Sequence, residues 1–263
     1  MLDLAAGNTQ NSVMEFEYSV LEDAAAVVRE AAEDFRIRFL ESVKNRGSFN
    51  VLLSGGKTPK ALFFLLAKRE FRDLPWSEAR FFWGDERCVA ADHSESNYRA
   101  ARELLLTKVP IVGDRVYPAV AATGDPVTEA ARYEKILRDA FKTKEGEFPV
   151  FDYALMGLGP DGHTASLFPG GDAVREREKW VVAAYNESHA VRSRLTLTVP
   201  VFNSARHVVF LITGESKKAA AGKMLEAVNR GRPADPLPAA LIRPKNGRLV
   251  YFLDRAADSA NNP

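Results

Sequence analysis

The chain of 263 residues contains one cysteine, Cys88, which excludes an internal disulfide framework and any metal centre built on several cysteines. It also has no excess of charge. Lys plus Arg number 36 and Asp plus Glu 35, a net of +1. So balanced a surface exerts no general pull on nucleic acid or an acidic membrane, and any anion site must come from a few local cations. No apolar run approaches the roughly 18 residues that a bilayer span needs, and no fixed-period repeat suggests a solenoid. The first thirteen residues, Met1 to Val13, are polar and lack the basic start and apolar centre of a signal peptide. These absences predict a cytosolic protein with no nucleic-acid or membrane partner, and a monomer is the expected state.

Several catalytic signatures are missing too. There is no G-x-x-x-x-G-K-[ST] loop, no G-x-G-x-x-G fingerprint and no H-E-x-x-H pair. A G-x-S-x-G elbow for a serine nucleophile is likewise absent. No metal site is expected, and water is left as the nucleophile of any hydrolysis.

What is present is an alternation of short apolar runs with amphipathic stretches. Leu21, Ala25, Val28, Ala32, Phe35 and Phe39 share one helical face. Phe49 to Leu53 reads as a strand stopping at Ser54-Gly55-Gly56, with Pro59 opening a helix over Lys60 to Lys68. Further strands are expected at Arg80–Trp83, Tyr153–Met156, Arg194–Val199, His207–Thr213 and Leu249–Leu253, with helices over Tyr98–Leu106, around Ala130–Phe141 and over Ser216–Asn229. Apolar strands separated by helices predict an α/β protein with a sheet covered on both faces. The expected organisation is one domain over 15–257, with 1–14 and 258–263 as loose tails.

Ligands of such sheets bind beyond the carboxyl ends of the strands, and four strand ends carry suitable residues. After the first strand, Ser54, Gly55, Gly56, Lys57 and Thr58 offer a close backbone approach, a helix N-terminus, a hydroxyl and a charge, a set that suits phosphate. An ordinary tight turn capped by Thr58 would read the same. Asp85 and Arg87, in WGDER, can reach a crevice to meet sugar hydroxyls and an anion, or form a solvated loop. In GLGPDGH, Asp161 stands two residues before His163, where it can orient the imidazole for proton transfer or merely cap the next helix. His93, His189 and His207 have no comparable setting. Arg194 and Lys217 are basic residues at two further strand edges, suited to surface solvation singly and to a phosphate dianion together.

These segments resemble the 6-phosphogluconolactonases, within the larger glucosamine-6-phosphate isomerase/deaminase superfamily. The resemblance rests on LSGGKTPKAL ending at Leu62, FFWGDERCV (81–89), DHSESNYR (92–99), FDYALMGLGPDGHTASLFPG (151–170), RLTLTVPVFNSARHVVFLITGESKKA (194–219) and PLPAALIRPKNGRLVYFLD (236–254). Lys57 departs from the family, which more often has Ser there, and Lys217 is placed by its distance from Gly214 next to a second lysine, Lys218. The resemblance implies a Rossmann-like three-layer α/β/α fold with a mostly parallel sheet, and hydrolysis of 6-phospho-D-glucono-1,5-lactone in the oxidative pentose phosphate pathway without a cofactor. It implies His163 as the base acting on water, the SGGKT loop and Lys217 on the phosphate, Asp85 and Arg87 beside the sugar, and Arg194 as a further anion contact. The oxyanion donor is either Arg87 or a backbone N–H. Two alternatives stand beside it. The deaminase branch carries a Glu where this chain has Phe168, and a phenyl ring cannot relay a proton. A non-catalytic sugar-phosphate sensor would need a DNA-binding module, and the stretch before Tyr18 is too short for one.

Overall fold

The computed structural model describes residues 16–120, 124–187, 190–229 and 237–259. The expected tail over 1–14, and His189, lie outside them. Phe16–Leu21 form strand β1 and Ala24–Arg46 helix α1. Leu21, expected on the helix, pairs instead with Asp254 in a parallel ladder. The helix starts after Asp23, whose carboxylate accepts from the Ala26 N–H at 2.7 Å. It ends at Gly47, in the left-handed region at φ 72°. Val28, Ala32, Phe35 and Phe39 do turn inward.

The chain continues through β2 (Phe49–Leu53), α2 (Lys57–Leu66), β3 (Ala79–Trp83), β4 (Asp85–Arg87), α3 (Asn97–Ala101), α4 (Pro126–Phe141) and β5 (Tyr153–Gly157). After these come β6 (Val181–Tyr185), β7 (Ser193–Leu197), α5 (Val199–Phe202), β8 (His207–Ile212), α6 (Lys218–Asn229) and β9 (Arg248–Asp254). α2 starts three residues earlier than Pro59 suggested, because proline is tolerated anywhere in a first turn, where its missing N–H has no partner to lose. The helix expected over Tyr98–Leu106 is split, its second half widening into a π turn in which Thr107 N–H reaches Arg102 O. Lys217 sits in a 3₁₀ turn, Glu215–Lys217, ahead of α6.

Six strands form one parallel sheet in the order β1-β9-β8-β5-β2-β3. Adjacent residues of β3 show that both faces are covered. Phe81 stacks toward Trp76, in a cluster with Phe35, Phe39 and Phe49, while Phe82 turns the other way against Phe141 of α4 and Phe151. The strand expected at Arg194–Val199 is present as β7 but belongs elsewhere. It is the centre of a separate antiparallel sheet, β4-β7-β6. WGDER is accordingly not a loop: Asp85–Arg87 pair with Arg194–Thr196 as a strand. Neither β4 nor β6 was expected, since β4 has no apolar residue and β6 lies among charged turns. Asp258, expected at the start of a loose tail, is buried and its N–H reaches Asp254 O; residues 260–263 lie outside the described residues. No helix among the described residues is long and apolar enough to cross a membrane.

Candidate active site

Successive strands β2 and β3 are neighbours, whereas β5 lies on the other side of β2. The order reverses there, so the loops leaving β2 and β5 diverge and open a crevice. A cavity of about 640 Å³ fills it, within the usual range of small-molecule sites. Its wall contains Ser54, Gly55, Gly56, Lys57 and Thr58 after β2, Asp85 and Arg87 from β4, His163 after β5, Arg194 from β7 and Lys217 after β8. Of the residues singled out from the sequence, only Asp161 stands outside that wall. It lies behind the imidazole.

The His163 loop is built around a short polar contact. Nδ1 of His163 lies 2.5 Å from Asp161 Oδ1, which also accepts from the His163 N–H at 3.2 Å. A ring that donates from Nδ1 carries its lone pair on Nε2. Burial alone would raise the Asp161 carboxyl, but the charge of His163 and hydrogen bonds from its backbone and ring hold it below the ordinary value. The pair lies directly on Gly159, where a Cβ would fall 2.1 Å from Nδ1. Only glycine fits at that position.

Cations line the cleft around this pair. Arg87 and Arg194 are register partners across the β4–β7 ladder, and the Nε of each is buried without a hydrogen-bond partner among the described residues. Burial, and then repulsion from Arg87, push Arg194 below its usual value. Lys217 is also lowered, by burial, with Asp161 acting against the shift. Like charges placed opposite each other in a ladder are unfavourable; Glu95 meets the Arg87 guanidinium at 3.5 Å, and an anion in the cleft would relieve the rest of the repulsion.

Several residues without an expected role complete the site. Asp85 Oδ2 accepts from Ser166 Oγ at 2.7 Å and Oδ1 from Asn97 Nδ2 at 3.3 Å. The carboxylate expected to meet sugar hydroxyls is therefore engaged by protein donors at both oxygens. Beneath it, buried Glu86 accepts from the N–H groups of Arg87, Asn97 and Tyr98 and from Ser96 Oγ, fixing the start of α3. Burial pushes Glu86 up to about 7. Asp254 accepts from the Gly214 N–H at 2.9 and 3.0 Å, holding the turn that leads to Lys217. Thr58 and Thr213 hydroxyls meet at 2.7 Å, joining α2 to the end of β8. The DHSESNYR segment following WGDER was the signal that could have pointed to Asn97. Nothing local ties Asp254 or Ser166 to the cleft, because the partners that place them there, Gly214 and Asp85, are distant in sequence. His207, given no special setting from the sequence, is buried with Nε2 3.0 Å from Asp34 of α1. It lines no part of the cleft.

A doubly wound α/β sheet with a cationic cleft and an imidazole–carboxylate pair at its reversal point is the architecture of a protein acting on a small anionic metabolite. Residues 22–251 match the family model of glucosamine-6-phosphate isomerases/6-phosphogluconolactonase. The chain is 38% identical to a 6-phosphogluconolactonase of Synechocystis, over 94% of its own length and 99% of the relative's. It is 35% identical to one of Nostoc, over 90% and 95% of the two chains. Among solved structures it is similar to 6-phosphogluconolactonase from Trypanosoma cruzi, at 31% identity and a TM-score of 0.80, covering 96% of this chain and 98% of that one. The chain belongs to the glucosamine-6-phosphate isomerase/6-phosphogluconolactonase family.

Proposed function

We propose that the chain hydrolyses 6-phospho-D-glucono-1,5-lactone to 6-phosphogluconate, the second step of the oxidative pentose phosphate pathway, by attack of a water activated at His163. The observation that carries this is the placement of the His163–Asp161 pair in the same cleft as Arg87, Arg194 and Lys217. The cations and the SGGKT loop hold the phosphate, which fixes the lactone carbonyl relative to the imidazole. Asp161 keeps the Nδ1 proton in place. Nε2 takes a proton from water as its oxygen bonds to C1, and the tetrahedral oxyanion is stabilised by Arg87 or a backbone N–H. Collapse of that intermediate breaks the bond from C1 to the ring oxygen, which receives the proton back from Nε2. A cyclic ester hydrolyses readily, so one base and good orientation suffice.

Phe168 supports the lactonase branch over the deaminase branch. Its ring lies 5.0 Å from the imidazole, where the other branch requires a carboxylate. The cleft is assembled from strand ends of a single chain, which supports a monomeric working unit, and the lone cysteine supports a cytosolic one.

The test is a coupled assay on freshly generated lactone with the spontaneous rate subtracted. Acceleration is expected, and Lys217→Ala should mainly raise KM for the phosphorylated substrate. Release of ammonia from glucosamine-6-phosphate, or binding without turnover, would overturn the reading.

A further inference from the structure

Asn97 lines the cleft yet is only 2% exposed, and one of its side-chain atoms has no partner among the described residues. Its Nδ2 donates to Asp85 O at 3.0 Å and to Asp85 Oδ1 at 3.3 Å. Two acceptors on one side settle which way the amide points, because the flipped amide would set an oxygen against two oxygens. Its backbone N–H is taken by Glu86 at 2.7 Å. Oδ1 therefore projects away from Asp85, over Gly55, where a Cβ would come within 2.0 Å of it. No described protein group donates to Oδ1. An amide oxygen can only accept a hydrogen bond, so its natural complement is an O–H group.

We propose that Asn97 Oδ1 selects a ring hydroxyl of the substrate, with Asp85 holding the amide and Ser166 holding Asp85. The inference rests on the phosphorylated sugar lactone proposed above and deepens it. Phosphate contacts anchor one end of the ligand and the imidazole addresses C1, but neither distinguishes one hydroxylation pattern from another. Asn97 supplies that discrimination from the β2 side of the cleft. The arrangement is rigid. The Ser166 Oγ–Asp85 contact ties the amide to the loop that carries His163, and Glu86 pins the backbone beneath it. It also accounts for Gly55 by something other than phosphate approach, since any side chain there would displace the amide.

The experiment compares the 6-phosphogluconolactone with its 2-deoxy, 3-deoxy and 4-deoxy analogues. For the wild type, one analogue should lose roughly 10- to 100-fold in kcat/KM, the scale of a hydrogen bond left unmade to a buried polar group. Asn97→Ala should bring that one ratio close to unity and leave the other two ratios unchanged. Asn97→Ser serves the same purpose should the alanine variant fold poorly, because its shorter side chain cannot reach the same point. Uniform treatment of all four lactones by the wild type overturns the inference, and so does a ratio that survives in both variants. Failure of the proposed reaction looks different, since the wild type would then not turn over the parent lactone at all, and both readings would fall.

Discussion

Arg87 and Arg194 face each other across the β4–β7 ladder, each with a buried Nε that no acceptor among the described residues meets. Two guanidiniums opposed in this way weaken the fold when nothing lies between them. An anion reverses the sign of the effect. The pair is thus tolerable in the empty protein and favourable in the complex, the usual compromise where a site is built for charge.

Replacing Arg194 separates the two effects. Arg194→Met should raise the stability of the ligand-free protein by about 0.2–1 kcal/mol, by removing the repulsion. It should abolish most of the stabilisation by 6-phosphogluconate, which for the wild type reaches about 2.7 kcal/mol at a free concentration near 100 Kd. Thermal melts with and without the product check both. A variant that keeps the full ligand-induced shift removes Arg194 from the anion site.

His163→Ala should lower kcat by about 10²-fold or more, the scale of a lost general base, with the far-UV spectrum unchanged. Asp161→Asn should lower kcat as well. The folded-state value of Asp161 is depressed, so the stability the pair contributes is fully present above the ordinary aspartate value. It is lost as pH falls through the depressed one. Acid unfolding of Asp161→Asn should therefore lack that part of the slope, and an unchanged acid limb would show that Asp161 is not depressed by the pair.

Gly159→Ala is a sharper test of geometry. Its methyl would lie 2.1 Å from His163 Nδ1 and 2.7 Å from Asp161 Oδ1, so the imidazole must swing away. A displacement of about 1 Å can cost on the order of 10²-fold in rate. Turnover should approach that of His163→Ala, with KM little changed. Wild-type kcat in this variant would show that the observed ring position is not the one that reacts.

Glu86 governs stability rather than chemistry. Its value is raised to about 7, so its contribution is complete below the ordinary glutamate value, about 4.3, and declines as pH rises through 7. Glu86→Gln cannot ionise and leaves an NH₂ facing donors. It should be less stable by about 1–3 kcal/mol and should lose less stability between pH 5 and pH 8 than the wild type. Urea unfolding at the two pH values measures this. An equal loss in both proteins would mean Glu86 does not titrate in this range.

Local sequence determined much of the alternation of strands and helices here, because β2, β3, β5 and β8 are short apolar runs that end at or just before a glycine and long helices such as α1 and α4 carry an apolar face. It also marked strand ends that line the cleft, since Ser54 to Thr58, or Asp161 and His163, are neighbours along the chain. Tertiary structure alone decided that β4 is a strand, for Asp-Glu-Arg has no apolar pattern and pairs only because β7 lies beside it. It likewise decided that Arg87 opposes Arg194, that Asp85 is occupied by Ser166 and Asn97, and that His207 finds Asp34. Each of these depends on residues brought together across long stretches of chain. Periodicity reports which face of an element is buried, but the partner waiting on that face is set by how the sheets and helices pack.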